Sequence, residues 1–353
     1  MKHLHAAPLR TVGMLASLAG SLLLGACGAD DAASTSRSST TSTTTNTAES
    51  TTTTGATSTE GGMRGPGGGS FGTAPTATKA NVEYATTSPS QVLDLWLPTE
   101  ASGPTPLVIY VHGGAFKGGD KAMVGAKVQP LLDGGFAVAS VNYRLSGEAT
   151  FPAGAQDVKA AVRWLRANAA TYSIDPDRFA AWGESAGGNL VALLGTTSDQ
   201  ATVLDDPELG NAGVSSGVQA VIDWFGPTDF AQMDAQAASG EGGCTSPELH
   251  DPAGSPESLW VGGAVQDTKE LVAQANPITY VATATRLPAF SIAHGDADCN
   301  VPFQQSKLLA DALTAAGADA TLTVLPGAAH ADPQFDGTLL QPTVAWLATV
   351  VGG

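Results

Sequence analysis

From about residue 79 onward, short apolar runs alternate with longer stretches whose apolar positions recur every three or four residues. The runs PLVIYVHGG, FAVASVNYR, RFAAWG, VQAVIDWFG, LPAFSIAHG and ATLTVLPG have the length and β-branched or aromatic content of buried strands. VLDLWLP alternates instead, as an early antiparallel strand with one wetter face does. Between the runs, PAGAQDVKAAVRWLRANAATY places Val158, Ala161, Val162 and Leu165 on one helical stripe. Further helices are expected from Ala186, near FQQSKLLADALTAAG and around TLLQPTVAWLATV. Strands and helices in alternation, with no internal repeat, predict an α/β fold: a mostly parallel sheet with helices on both faces. Ligands of such sheets bind beyond the carboxyl ends of the strands. The loops there are where chemistry is to be sought.

Gly183-Glu184-Ser185-Ala186-Gly187 stands at such a place, between a strand-like run and a helix-like one. The spacing G-x-S-x-G fits a tight strand-to-helix turn that lifts a serine hydroxyl above the sheet at a helix N-terminus. Unpaired amides and the positive end of the helix dipole at that point suit a developing oxyanion. A five-residue motif with three fixed positions also arises by chance in a glycine-rich chain, so its weight depends on partners elsewhere. A second glycine-rich loop, YVHGGAFKGGDK, follows the strand PLVIYV about 70 residues earlier. A phosphate-binding loop is excluded there, because the register Gly114-x4-Gly119 continues with Asp120 rather than Lys.

A serine nucleophile needs a base and an acid. The run FSIAHGDADCNVP offers Asp296 and Asp298. Asp296-x-Asp298-x-Asn300 also imitates the start of a calcium loop, but Val301 and Lys307 stand where that loop needs Gly and Glu. Of the six histidines, His3 and His5 fall in the N-terminal leader and His250 in a proline-rich loop. His112 and His294 belong to the two motifs just quoted, which leaves His330, in LPGAAHAD after the last strand. The order Ser185, acid, His330 is that of the α/β-hydrolases.

Taken together, these motifs resemble the α/β-hydrolase family, in particular its HGG-loop esterases and lipases of the carbohydrate-esterase-like and hormone-sensitive-lipase-like branch. The resemblance runs from about Asn81 to Gly353. It implies an α/β-hydrolase fold and a Ser185–His330–Asp298 triad, the HGxxDxxVP pattern of His294 to Pro302 selecting Asp298 over Asp296. It also implies that Gly113 or Gly114, or both, act with Ala186 as oxyanion donors, with His112 structural. Ala115 replaces the third glycine of the commoner loop, so which loop amide faces inward stays open. Glu184, Asp157 and Asn276 match family positions and are read as mainly structural. The stretch from Gly240 to Gly263 is expected to form a small cap, with Leu259 and Trp260 lining a pocket or packed inside. The implied function is hydrolysis of a short-chain or aromatic ester, an acylated carbohydrate among them, through an acyl-enzyme and with no metal or cofactor. A serine peptidase of the same fold, or a non-catalytic binding module, are the alternatives.

Composition adds the setting. The formal charge of −17 argues against nucleic acid as a partner. Lys2 and Arg10 precede an apolar run from Val12 to Ala26, too short for a membrane span and suited to a signal peptide. Leu24-Gly25-Ala26-Cys27 resembles a bacterial lipobox, so residues 1–26 are expected to be removed and Cys27 lipidated, anchoring the protein to a membrane outside the cytoplasm. Residues 27–78, Ser/Thr-rich and then Gly-rich, are expected to be a disordered tether, reaching roughly 40 Å over about 50 residues. That leaves 79–353 as the catalytic domain. With Cys27 set aside, Cys244 and Cys299 remain, and an even count in an exported chain favours one disulfide.

Overall fold

The computed structural model describes residues 72–198 and 200–352. The assignments that fall on residues 1–26, on Cys27 and on most of the tether lie outside the described residues. Residues 72–78, given above to the tether, run along the domain: the Trp96 indole donates to the Pro75 carbonyl at 2.8 Å, and Ala74 and Ala77 pack on the core. The domain boundary therefore lies before residue 79.

The strands are β1 Lys79–Glu83, β2 Val92–Trp96, β3 Thr105–Val111, β4 Ala137–Val141, β5 Ile174–Glu184, β6 Ala220–Trp224, β7 Ala289–Gly295 and β8 Ala320–Leu325. They form one sheet in the order β1-β2-β4-β3-β5-β6-β7-β8. β1–β2 and β2–β4 are antiparallel, and the remaining pairs are parallel. The helices are α1 Val128–Asp133, α2 Ala153–Ala167, α3 Ala186–Thr196, α4 Phe230–Ser239, α5 Pro256–Val261, α6 Lys269–Gln274, α7 Ile278–Val281, α8 Gln304–Ala315 and α9 Leu340–Val350.

β3, β4 and β6 are buried at every residue, which is why they read as continuous apolar runs rather than alternating ones. Alternate residues still feed different layers. Leu107, Ile109 and Val111 of β3 join a core with Val158, Val162, Leu190 and Leu194 of α2 and α3. Val108 and Tyr110 face the other way, toward Val128 and Leu131 of α1 and Val344 and Leu347 of α9. This arrangement is an α/β-hydrolase fold. The chain places β4 on one side of β3 and β5 on the other, so the strand order reverses there and a crevice opens at the carboxyl ends.

Candidate active site

Ser185 is the residue between β5 and α3, and its backbone sits at φ +55°, ψ −123°. A left-handed serine costs on the order of 1–3 kcal/mol and persists only where its surroundings impose it. Here they do. A Cβ at Gly183 would lie 2.0 Å from the Gly187 carbonyl, and one at Gly187 would lie 2.0 Å from the Val111 carbonyl. Only glycine at both positions lets β5 turn this sharply into a helix that presses on β3. Ala115, Phe116, Phe225 and Ala331 also have φ between 46° and 58°, and all four line the same cleft as Ser185. Backbone strain is concentrated around one cavity.

The structure brings the expected partners to it. His330 Nε2 is 2.9 Å from Ser185 Oγ, and His330 Nδ1 is 2.7 Å from Asp298 Oδ2. Asp298 follows β7 and is 5 % exposed; its Oδ1 accepts from the Asn300 and Val301 amides. His294 Nε2 lies 2.9 Å from the Val301 carbonyl and 3.2 Å from Asp298 Oδ2, while its Nδ1 meets the Ser306 hydroxyl. Burial alone would raise the Asp298 carboxyl. The His330 ring beside it, with hydrogen bonds from His294 and His330, outweighs burial and holds it well below the usual carboxylate range. Asp296, the other candidate, points away and accepts from the Gly327 amide at 2.6 Å. A carboxylate, an imidazole and a hydroxyl joined in this order can draw the proton from the hydroxyl.

The loop after β3 approaches the same point. A Cβ at Gly113 would lie 2.7 Å from the Glu184 carbonyl and 3.1 Å from Ser185 Cβ, so bare backbone touches the turn. Gly113, Gly114, Ser185 and Ala186 all line the cleft. Ala186 opens α3, where an N–H has no intrahelical acceptor. His112 anchors the loop from behind: it stacks on Tyr143 at 4.5 Å, and the Tyr143 hydroxyl donates to the His112 carbonyl. Burial pushes the His112 ring down to about 4, so it stays neutral.

Glu184 and Asp157 sit in supporting networks. Glu184 pairs with Lys127 at 2.9 Å and accepts from the Tyr110 hydroxyl, and Lys127 also reaches Asp336. Asp157 is fully buried and accepts from Arg144 and from the Gln91 side chain. Asn276 caps the start of α7, its Oδ1 accepting from the Ile278 amide. Lys127 and Asp336, which brace the residue beside Ser185, had no signal in the sequence.

The cap stretch contributes Glu248, His250, Pro256 and Glu257 to the cleft. Leu259 and Trp260 are not among its lining. Leu259 is solvent-exposed, and Trp260 is fully buried, stacked on Phe116 at 4.0 Å. Of the two roles open to that pair, Trp260 takes packing. Cys244 and Cys299 are joined by a disulfide with Cα atoms 5.1 Å apart, tying the cap to the loop that carries Asp298. The cleft has a cavity volume of about 90 Å³ and is partly open to solvent.

A family model described as BD-FAE matches residues 93–313. The chain is 31% identical over 267 residues to Esterase LipC of Mycobacterium tuberculosis, covering 74% of this chain and 61% of that protein. It is 32% identical to Esterase LipQ of the same organism, covering 72% and 57%. The chain thus spans about three fifths of the length of these relatives. Among solved structures, a truncated form of a carbohydrate esterase from gut microbiota is 36% identical with a TM-score of 0.69, covering 80% of this chain and 98% of that one. A bifunctional GH43-CE protein of Bacteroides eggerthii is 33% identical with a TM-score of 0.67, covering 78% and 38%. With the HGG loop, the serine turn and the late histidine in one cleft of an α/β-hydrolase fold, the chain belongs to the BD-FAE family.

Proposed function

We propose that the protein is a serine carboxylesterase that hydrolyses short-chain or aromatic esters, with acylated carbohydrates as its natural substrate class. The observation that carries this reading is the unbroken line from Asp298 through His330 to a strained Ser185 hydroxyl in a glycine-lined cleft. His330 Nε2 takes the Ser185 proton as Oγ attacks the ester carbonyl carbon. The carbonyl electron pair moves onto oxygen, where the amides of Ala186 and of Gly113 or Gly114 hold the charge, each donor contributing about 3–4 kcal/mol to the transition state. Collapse expels the alcohol, which takes its proton from His330. Water, deprotonated by His330, then attacks the acyl-serine, releasing the acid and restoring the enzyme. Asp298 keeps the imidazole in the required tautomer and offsets its transient charge.

The carbohydrate part of the reading is supported by the two carbohydrate-esterase structures that the chain resembles at 36% and 33% identity. Export and a lipid anchor at Cys27 are supported by the apolar run before Leu24-Gly25-Ala26-Cys27. The test is covalent labelling with a fluorophosphonate probe, followed by a panel of peptide and ester substrates. Labelling at Ser185 with ester turnover is expected. Failure to label, or faster cleavage of peptides than of esters, would overturn the reading. In cells, Cys27→Ser is expected to move the protein from the detergent-extracted membrane fraction to the soluble one. Retention in the membrane would remove the lipid anchor from the proposal.

A further inference from the structure

The cleft wall supplied by the cap holds a second histidine–carboxylate pair. His250 is 2 % exposed and Glu257 4 %, and His250 Nδ1 lies 2.9 Å from Glu257 Oε2. The pair is held rigidly. The His250 amide donates to Asp234 of α4, and its carbonyl accepts from the hydroxyls of Ser255 and Ser258 at the start of α5. Nothing in the triad uses this pair. Yet His250 Nε2 is buried and meets no hydrogen-bond partner among the described residues, while both side chains line the same cleft as Ser185. A buried imidazole nitrogen left unpaired costs free energy, and a ligand that supplies its partner recovers it.

The chemistry of that partner is constrained. Burial alone would lower the His250 ring, but Glu257, with Asp234 and Glu248, outweighs burial and raises it. With Nδ1 bound to Glu257, Nε2 is a donor when the ring is charged and an acceptor when it is neutral. A hydroxyl satisfies either state, whereas a carboxylate or an ether oxygen satisfies only the first. The described lining includes Glu184, Glu248 and Glu257 but no Lys or Arg, which disfavours an anionic ligand. The lining is also divided in character. Phe116, Met123 and Phe225 offer an apolar surface, whereas the polar groups Glu248, His250, Glu257 and Asn300 come from the cap and the loop after β7.

We propose that the His250–Glu257 pair is a hydroxyl-binding subsite that selects esters whose alcohol portion carries a neighbouring free hydroxyl, as a partly acylated sugar does. This rests on the esterase reading above and names which part of the alcohol is recognised. The test compares kcat/KM for cyclohexyl acetate and for trans-2-hydroxycyclohexyl acetate, which differ by one hydroxyl, in the full chain. The wild type is expected to favour the hydroxylated ester by about tenfold or more, the worth of one hydrogen bond in a desolvated site. In His250→Phe the ratio is expected to fall to about one. In Glu257→Gln, which keeps an acceptor for Nδ1 but removes the charge, the ratio narrows. Fluorophosphonate titration counts folded sites in each variant, and a residue with a merely structural role would change both rates together and leave the ratio standing. A wild-type ratio near one overturns the proposal, as does a ratio that survives in His250→Phe. If that variant yields no titratable protein, a full ratio in Glu257→Gln overturns it equally. Hydrolysis of neither ester by the wild type would instead bring down the esterase reading.

Discussion

At the scale of single residues, Ser185 shows how backbone and chemistry are coupled. Its left-handed φ is unfavourable for any residue with a Cβ, and the glycines around it hold it there. Ser185→Ala removes one small hydroxyl, so the fold is expected to persist while kcat falls by about 10⁴–10⁶-fold. His330→Ala is expected to match it, measured on the same ester with thermal unfolding as the control for folding. Wild-type turnover in His330→Ala would mean that another group is the base. A second residue, Asp223 on β6, carries a pH dependence of stability. It is 1 % exposed, its Oδ1 accepts from the Gly226 amide, and Oδ2 has no partner among the described residues. Burial pushes its carboxyl up to about 7, against the opposing pull of His294 and the Gly226 amide. In the unfolded chain it titrates near its ordinary value of about 3.9. The folded state therefore binds the extra proton between those values. The contribution of Asp223 to stability is full below about pH 4 and is lost as pH rises through about 7. Asp223→Asn, a neutral near-isostere, is expected to flatten that part of the profile, the difference in Tm from wild type shifting in the variant's favour from pH 4 to pH 8. A constant difference across that range would show that Asp223 does not titrate there.

At the scale of elements, what the sequence reveals depends on length and burial. β3 to β8 and the helices α2, α3, α8 and α9 were legible because each is long enough for its period to show. α5 and α6 have six residues each and α7 four, too few for a stripe, so the cap that holds α5 reads only as a loop rich in Pro and Gly and the segment after it shows no helix. Ser185, Asp298 and His330, which the structure brings together, were legible because each sits beside a recognisable turn at a strand end. His250 and Glu257 carry no such mark: their pairing across the cap is created by tertiary packing alone. The same holds for Lys127, which reaches Glu184 and Asp336 from a part of the chain far from both. The cysteines were legible by count, and their bond has a consequence for these elements. It closes a loop of 55 residues and pins Gly242 and Gly243 against the Asp296 and Ala297 backbone, next to Asp298. In the chain-entropy model such a crosslink stabilises by roughly 4 kcal/mol, with measured values often smaller. Replacing both cysteines with serine is expected to lower Tm and to reduce kcat, since the loop that holds Asp298 loses a restraint. Mass analysis of the unreduced protein provides the first check, because two cysteines open to alkylation would remove the basis of this prediction.

At the scale of the whole molecule, the packing behind the cleft bears on the acyl length that the proposed esterase would take. Phe116 lines the cleft and is itself buried, backed by Trp260 stacked at 4.0 Å and by Phe230 edge-on at 6.1 Å. Phe151 packs edge-on against Trp260 at 5.1 Å. This aromatic block fills the space behind Phe116, so a deep channel there would have to displace it. The cap helix α5 has six residues, and the cap exposes Leu249 and Leu259, a smaller apolar surface than the continuous face of an interfacial helix. A formal charge of −17 further opposes approach to anionic lipid. Each methylene buried contributes about 0.8 kcal/mol, so binding improves with chain length only while the added carbons leave water. On p-nitrophenyl esters, kcat/KM is therefore expected to peak at about two to six carbons and to fall beyond about eight, where further methylenes stay in solvent. Replacing Trp260 with alanine would open space behind Phe116 and is expected to move the optimum toward longer chains, at a cost of about 3–5 kcal/mol in stability. A wild-type profile that climbs steadily to sixteen carbons, with a jump in rate above the solubility limit of the lipid, would show that the aromatic block yields to long chains. The protein would then act at lipid surfaces, and the short-chain assignment would fall.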